Sequence, residues 1–100
     1  MKDDCIEETQ LVRQIVAGEE SAVERFYALY ADALYAFIYH HVGNKEEAED
    51  IWQESLLVAI RGIERFQGQS RLYTWLCGIA RHKIADTFRR RNKPVEDIHP

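Results

Sequence analysis

Apolar residues recur at intervals of three and four along nearly the whole chain, the period of helices that bury one face, and no stretch alternates with the period of two that a half-buried strand requires. Four helices follow from that period and its punctuation. The first spans about Glu8 to Ala17, carries Leu11, Val12 and Ile15 on one side, and stops at Gly18. The second opens on Ser21 and Glu24, which have capping-box spacing, and runs to about His41 before Gly43. Its stripe is Val23, Phe26, Tyr27, Tyr30, Leu34, Phe37, Ile38 and His41. The third begins at Asn44 with Glu47 three residues on, and its stripe is Ala48, Ile51, Trp52, Ser55, Leu56, Ala59 and Ile63. The fourth starts near Ser70 and keeps Leu72, Leu76, Ile79, Ala80, Ile84, Thr87 and Phe88 on one side. After Arg91 the run NKPVEDIHP reads as a linker, because Pro94 disfavours helical geometry in the residue before it. The expected fold is all-α, a compact bundle of about four helices without strands.

Charge adds what hydrophobicity does not. The chain has a net charge of −4, yet residues 1–60 carry 4 Lys/Arg against 13 Asp/Glu, and residues 61–93 carry 9 against 2. Two poles are hidden in a near-neutral sum, and the basic one is also aromatic, which points to a polyanion partner. One hundred residues with 46% apolar content make one packed domain. Cys5 and Cys77 form no paired motif, so a reducing, cytoplasmic setting is the default. No apolar run approaches the ~20 residues that span a bilayer, so membrane insertion is not expected.

At about 100° per residue, Arg71, Thr74, Gly78, Arg81, His82, Ala85 and Arg89 fall on the side of the fourth helix opposite its apolar stripe. Cations alternate there with small side chains, an arrangement that lets a ligand approach the backbone while arginines reach its charges. A glycine inside a helix costs about 1 kcal/mol relative to alanine, and close approach is a reason to keep one. Arg89, Arg90 and Arg91 complement the macrodipole at the C-terminal end. Before this helix, Gln67, Gly68, Gln69, Ser70 and Arg71 combine amides, a hydroxyl and a guanidinium, groups that recognise unpaired bases. Tyr73 suits either a stacking platform or core packing, whereas Trp75 reads as core.

These residues carry a family resemblance. The pattern A-E-D-x-x-Q-E is met by Ala48, Glu49, Asp50, Gln53 and Glu54, and F-x-G-x-S-x-x-x-T-W-L by Phe66, Gly68, Ser70, Thr74, Trp75 and Leu76. A third, I-A-R-x-x-x-x-D-x-x-R-R, is met by Ile79, Ala80, Arg81, Asp86, Arg89 and Arg90. With Phe26-Tyr27-Ala28-Leu29-Tyr30 upstream, the chain from about Glu8 to Arg91 resembles region 2 of bacterial RNA polymerase sigma factors of the extracytoplasmic-function (ECF) group. The resemblance implies a region 2 domain over residues 1–93, with residues 94–100 starting a linker to a −35-binding domain. It implies that Asp50, Gln53 and Glu54 dock on the clamp helices of the β′ subunit of core polymerase. It further implies that Gln67, Gln69, Ser70 and Arg71 capture a flipped base of the promoter −10 element. Tyr73, Thr74, Gly78, Arg81, His82, Arg89 and Arg90 would hold and help melt its non-template strand. An anti-sigma factor is a further candidate partner. Leu72 stands where the family usually has an aromatic, and His82 where asparagine is common.

Two other classes compete. A metal or catalytic site has His82 and Asp86 at i, i+4, with His40, His41, Cys5 and Cys77 elsewhere, but no H-x-x-x-H or C-x-x-C spacing and no third ligand beside the pair. No cofactor and no enzymatic activity are expected, and Asp86 reads as a salt-bridge partner of Arg90 or Lys83. The other competitor is a helical protein–protein interaction module without specific DNA binding.

Overall fold

The computed structural model describes the backbone of residues 2–91 and the side chains of residues 6–91. Helices α1 (Lys2–Val16), α2 (Glu20–Val42), α3 (Lys45–Gly62) and α4 (Leu72–Arg91) follow one another, with a 3-10 turn, Ile63–Arg65, after α3. No strand occurs among the described residues, as the periodicity predicts. The expected boundary near residue 93 and the linker beyond it lie outside them.

Each helix ends for a local reason. At the end of α1, Gly18 adopts φ 88°, its N–H bonds Ile15 O at 2.9 Å, and Glu19 N–H reaches back to Gln14 O at 3.1 Å. This pair of bonds is the Schellman arrangement, which only a left-handed residue closes readily. At the end of α2, Gly43 at φ 68° sends its N–H to Tyr39 O at 2.8 Å. The start of α3 is capped as expected: the Asn44 side chain accepts Glu47 N–H at 2.9 Å.

Three boundaries depart from the sequence reading. α1 begins at Lys2 rather than Glu8, since no glycine or proline interrupts it on the N-terminal side. α2 begins at Glu20, and its N-cap is Glu19, which makes no side-chain cap bond; Ser21 is already inside the helix. The Schellman turn leaves no room for a separate Ser21 cap. α4 begins at Leu72 rather than near Ser70.

α2, α3 and α4 pack against one another, while α1 lies on α2 and on the 3-10 turn. The core gathers Phe26, Leu34 and Ile38 from α2, Ile51 and Leu56 from α3, Ile63, and Leu72, Leu76 and Ile84 from α4. Ala22, Ala48, Ala59 and Ala80 are fully buried, and such small side chains let helices approach closely. From the expected stripe of α2, Tyr27 and His41 are exposed instead, while Ala22, Ala31 and Val42 are buried. The Trp52 indole donates to Ala31 O at 2.8 Å and fastens α3 to α2. Ser55 is completely buried and its hydroxyl has no hydrogen-bond partner. No helix among the described residues is long and apolar enough to cross a membrane.

Candidate nucleic-acid interface

The loop between the 3-10 turn and α4 is pinned at both ends and open between them. At its entry, Phe66 N–H bonds Ile63 O at 3.0 Å, and the Phe66 ring tilts against Trp75 with centroids 5.5 Å apart. At its exit stands a residue that sequence reasoning did not single out. Glu8 on α1 is only 8% exposed, and its Oε1 accepts Leu72 N–H at 3.0 Å. Its Oε2 accepts Arg71 Nε–H at 2.9 Å and lies 2.8 Å from the same guanidinium's Nη2. A carboxylate at a helix N-terminus satisfies an otherwise orphaned N–H and complements the macrodipole. Ser70, near which the helix was expected to start, donates to Arg71 O at 3.2 Å. Gln67, Gly68, Gln69 and Ser70 are exposed, Gly68 has φ 75°, and the Gln69 amide donates to Gln67 Oε1 at 3.4 Å.

Along α4, Thr74, Arg81, His82, Ala85 and Arg89 are exposed and Gly78 is half-buried, so the face read from the sequence is a real surface. A Cβ built on Gly78 would meet nothing within 4 Å. Arg81 lies over the Phe37 ring of α2, 5.4 Å from its centroid, so its guanidinium is oriented while still exposed. Arg89 pairs with Asp86 one turn back. That corrects the expectation that Asp86 pairs with Arg90 or Lys83: an i, i+3 neighbour on the same face is within reach. Tyr73 is half-buried; its hydroxyl donates to Ala33 O at 3.1 Å and its ring stacks on Tyr30 with centroids 6.3 Å apart. Burial, followed by the neighbouring Cys77 thiol, pushes its hydroxyl up to about 12. One ring face of Tyr73 is therefore engaged within the fold.

On α3, Asp50, Gln53 and Glu54 are exposed and line one groove with Leu57 and Arg90. Arg90 thus stands beside the acidic residues of α3 as well as next to Arg89. Arg91 crosses to α3, where its guanidinium binds the Glu47 carboxylate and approaches Val42 O at 3.4 Å. Donation of its hydrogen bonds to the Glu47 carboxylate pushes the Arg91 guanidinium further up from its ordinary value. The basic triplet is therefore divided: Arg89 on the outer face, Arg90 at the α3 groove, Arg91 locked as a clamp.

The family description for sigma-70 region 2 matches residues 26–93. The chain belongs to that family. Its curated relatives are RNA polymerase sigma factors, several of them of the ECF group. The chain is 43% identical over 81 residues to the ECF RNA polymerase sigma factor BldN of Streptomyces coelicolor, a match covering 80% of this chain and 31% of that protein. It is 35% identical over 72 residues to the ECF sigma factor SigX of Bacillus subtilis, covering 72% of this chain and 37% of that protein. It is 31% identical over 97 residues to the RNA polymerase sigma-H factor of Pseudomonas aeruginosa, covering 92% of this chain and 49% of that protein. The chain thus spans between about a third and a half of the length of these relatives.

In this region 2 domain one sequence motif falls on α3, and the other two follow one another from the loop along α4. The loop and the outer face of α4 are contiguous in the chain, and Asp50, Gln53 and Glu54 stand on another helix. Among the described residues no group of three or more His, Cys, Asp or Glu is gathered as a metal site. His82 remains exposed and Asp86 is committed to Arg89. Sequence reasoning missed Glu8, Leu57 and the pairing of Arg91 with Glu47. For Glu8 a signal existed: α4 has no acidic residue in its first turn, so its N-terminus needs an acceptor from elsewhere.

Proposed function

We propose that this domain binds core RNA polymerase through α3 and engages the non-template strand of the promoter −10 element with the loop and the outer face of α4. By holding unpaired bases it helps melt the element and so directs transcription initiation. Asp50, Gln53 and Glu54, with Leu57 at their edge, are the groups offered to the β′ clamp helices. Gln67, Gln69 and Ser70 present donors and acceptors for base edges. Arg71, Arg81 and Arg89 serve the phosphates, and such contacts fix register while carrying little sequence information. Tyr73 contributes by supporting the loop end of α4, and Thr74 and His82 flank the path of the strand. Arg90 serves the junction between strand and polymerase. The activity places the protein in the cytoplasm, and an anti-sigma factor would act by covering either surface.

The observation that carries this reading is Gly78. It lies inside a helix of 20 residues, where glycine is costly, and no packing within the domain calls for it. A ligand that comes close to the backbone between Thr74, Arg81 and His82 accounts for it, and the surrounding cations give that ligand negative charge. Salt dependence tests the reading. Affinity for a non-template −10 oligonucleotide, measured with core polymerase, should fall steeply with salt. Arg81→Ala and Arg89→Ala should each flatten the log–log slope by about 0.7. Affinity insensitive to salt would leave the domain as a protein–protein module alone.

A further inference from the structure

α1 brackets the loop. It packs on the 3-10 turn that leads into residues 66–71, and through Glu8 it grips the two residues by which the chain leaves them. The grip is specific in chemistry. One carboxylate oxygen takes the backbone N–H of Leu72, a bond buried from water, and the other takes the guanidinium of Arg71, whose side chain is 55% exposed. Removing the buried carboxylate leaves the Leu72 N–H without its acceptor and the Arg71 guanidinium without its counter-charge. Between the pinned ends, Gln67 to Ser70 are held only by contacts within the loop itself among the described bonds. Their orientation therefore depends on where the exit is fixed. That point is set from a helix more than sixty residues away in sequence.

We propose that Glu8 is a positioning residue for base selection: from α1 it fixes the exit of the loop so that Gln67, Gln69 and Ser70 meet the −10 base in one arrangement. The proposal rests on the base-reading loop proposed above. Glu8 touches no base. It acts through Arg71 and the Leu72 backbone, and it makes α1, which bears none of the three motifs, a determinant of promoter choice.

The test uses the full chain with core polymerase and non-template oligonucleotides in which each −10 base is varied, together with an oligo-dT strand of equal length. In Glu8→Ala the ratio of preferred to disfavoured base should fall at least about fivefold, the lower end of what one lost base contact gives. Affinity for oligo-dT should change by less than the base ratio does, because Arg81 and Arg89 on α4 are untouched and only Arg71 loses its partner. Amide exchange at Leu72 and through the loop should accelerate. Glu8→Gln keeps an acceptor for Leu72 N–H but loses the charge that holds Arg71, so its profile should be intermediate. If Glu8→Ala loses its helical signal, Glu8→Gln decides, and a parental profile there overturns the proposal. A selective parent with an equally selective Glu8→Ala overturns the positioning role alone. A flat base profile in the parent overturns both this role and the base-reading loop beneath it.

Discussion

Gly78→Ala should make this domain more stable and a poorer ligand for DNA, two effects of opposite sign from one methyl group. Gly78 lies in the interior of α4 without a positive φ, and an added Cβ meets nothing within 4 Å. Neither strain nor collision opposes the substitution inside the fold. The gain is then the intrinsic glycine-to-alanine difference, about 1 kcal/mol. For a domain of this size that raises Tm by about 4–8 °C. On the outer side the methyl stands where the proposed path of the DNA strand crosses the helix, and Gly78→Leu fills the same space with a side chain that cannot lie flat. The leucine variant should lose at least about tenfold in affinity, equivalent to about 1.4 kcal/mol, with alanine between it and the parent. Thermal unfolding followed by circular dichroism gives the first quantity. Fluorescence anisotropy of a labelled non-template strand with core polymerase gives the second. Parental DNA affinity in both variants would refute close approach at this face. A lowered Tm for Gly78→Ala would refute the claim that nothing inside the fold needs the glycine.

Asp50→Ala combined with Glu54→Ala should weaken binding to core polymerase while leaving helical content intact, since both residues are exposed and away from the core; unchanged affinity for the β′ clamp helices in a pull-down titration would remove α3 as the dock. Ser55→Ala should raise stability in urea by about 1 kcal/mol, because it deletes a buried hydroxyl that has no partner; a loss of stability would mean that the hydroxyl is bonded. Burial, then Cys77, raises the Tyr73 hydroxyl from 10.0 to about 12, so the folded state holds this proton more tightly than the unfolded chain, and the resulting stability is complete below pH 10 and lost as pH rises through about 12. Tyr73→Phe should therefore flatten the alkaline decline in Tm between those limits, and an unchanged decline would show that Tyr73 does not carry it.

The elements read well from the sequence where the signal was local and failed where it was not. Asn44 and Glu47 marked the start of α3 because a cap is made between residues three apart, and the bond is present. The apolar stripe of α4 was legible because helical period alone places Leu72, Leu76, Ala80 and Ile84 on one side, and all are buried. Ser21 and Glu24 had the same spacing as a genuine cap, yet the tight turn at Gly18 hands the role to Glu19. For the candidate site, the outer face of α4 was visible in the sequence because it is the complement of a stripe. The division of the arginine triplet was not, because it depends on Glu47 and on the groove beside Asp50, which only the packing of α3 on α4 brings near. Glu8 was the hardest to see: its partners lie 63 and 64 residues away, and neither its type nor its spacing distinguishes it from the other acids of α1.

The most direct test of base reading by the loop is a comparison of the parent protein with a graft that replaces residues 66–71 by a different loop. Both are assayed for transcription by core polymerase from a promoter library varied at every −10 position. The account predicts that the graft changes which −10 base is preferred while its general DNA affinity stays close to that of the parent. An identical preference profile in the two proteins would contradict it and would move base selection onto α4, to His82 and its neighbours.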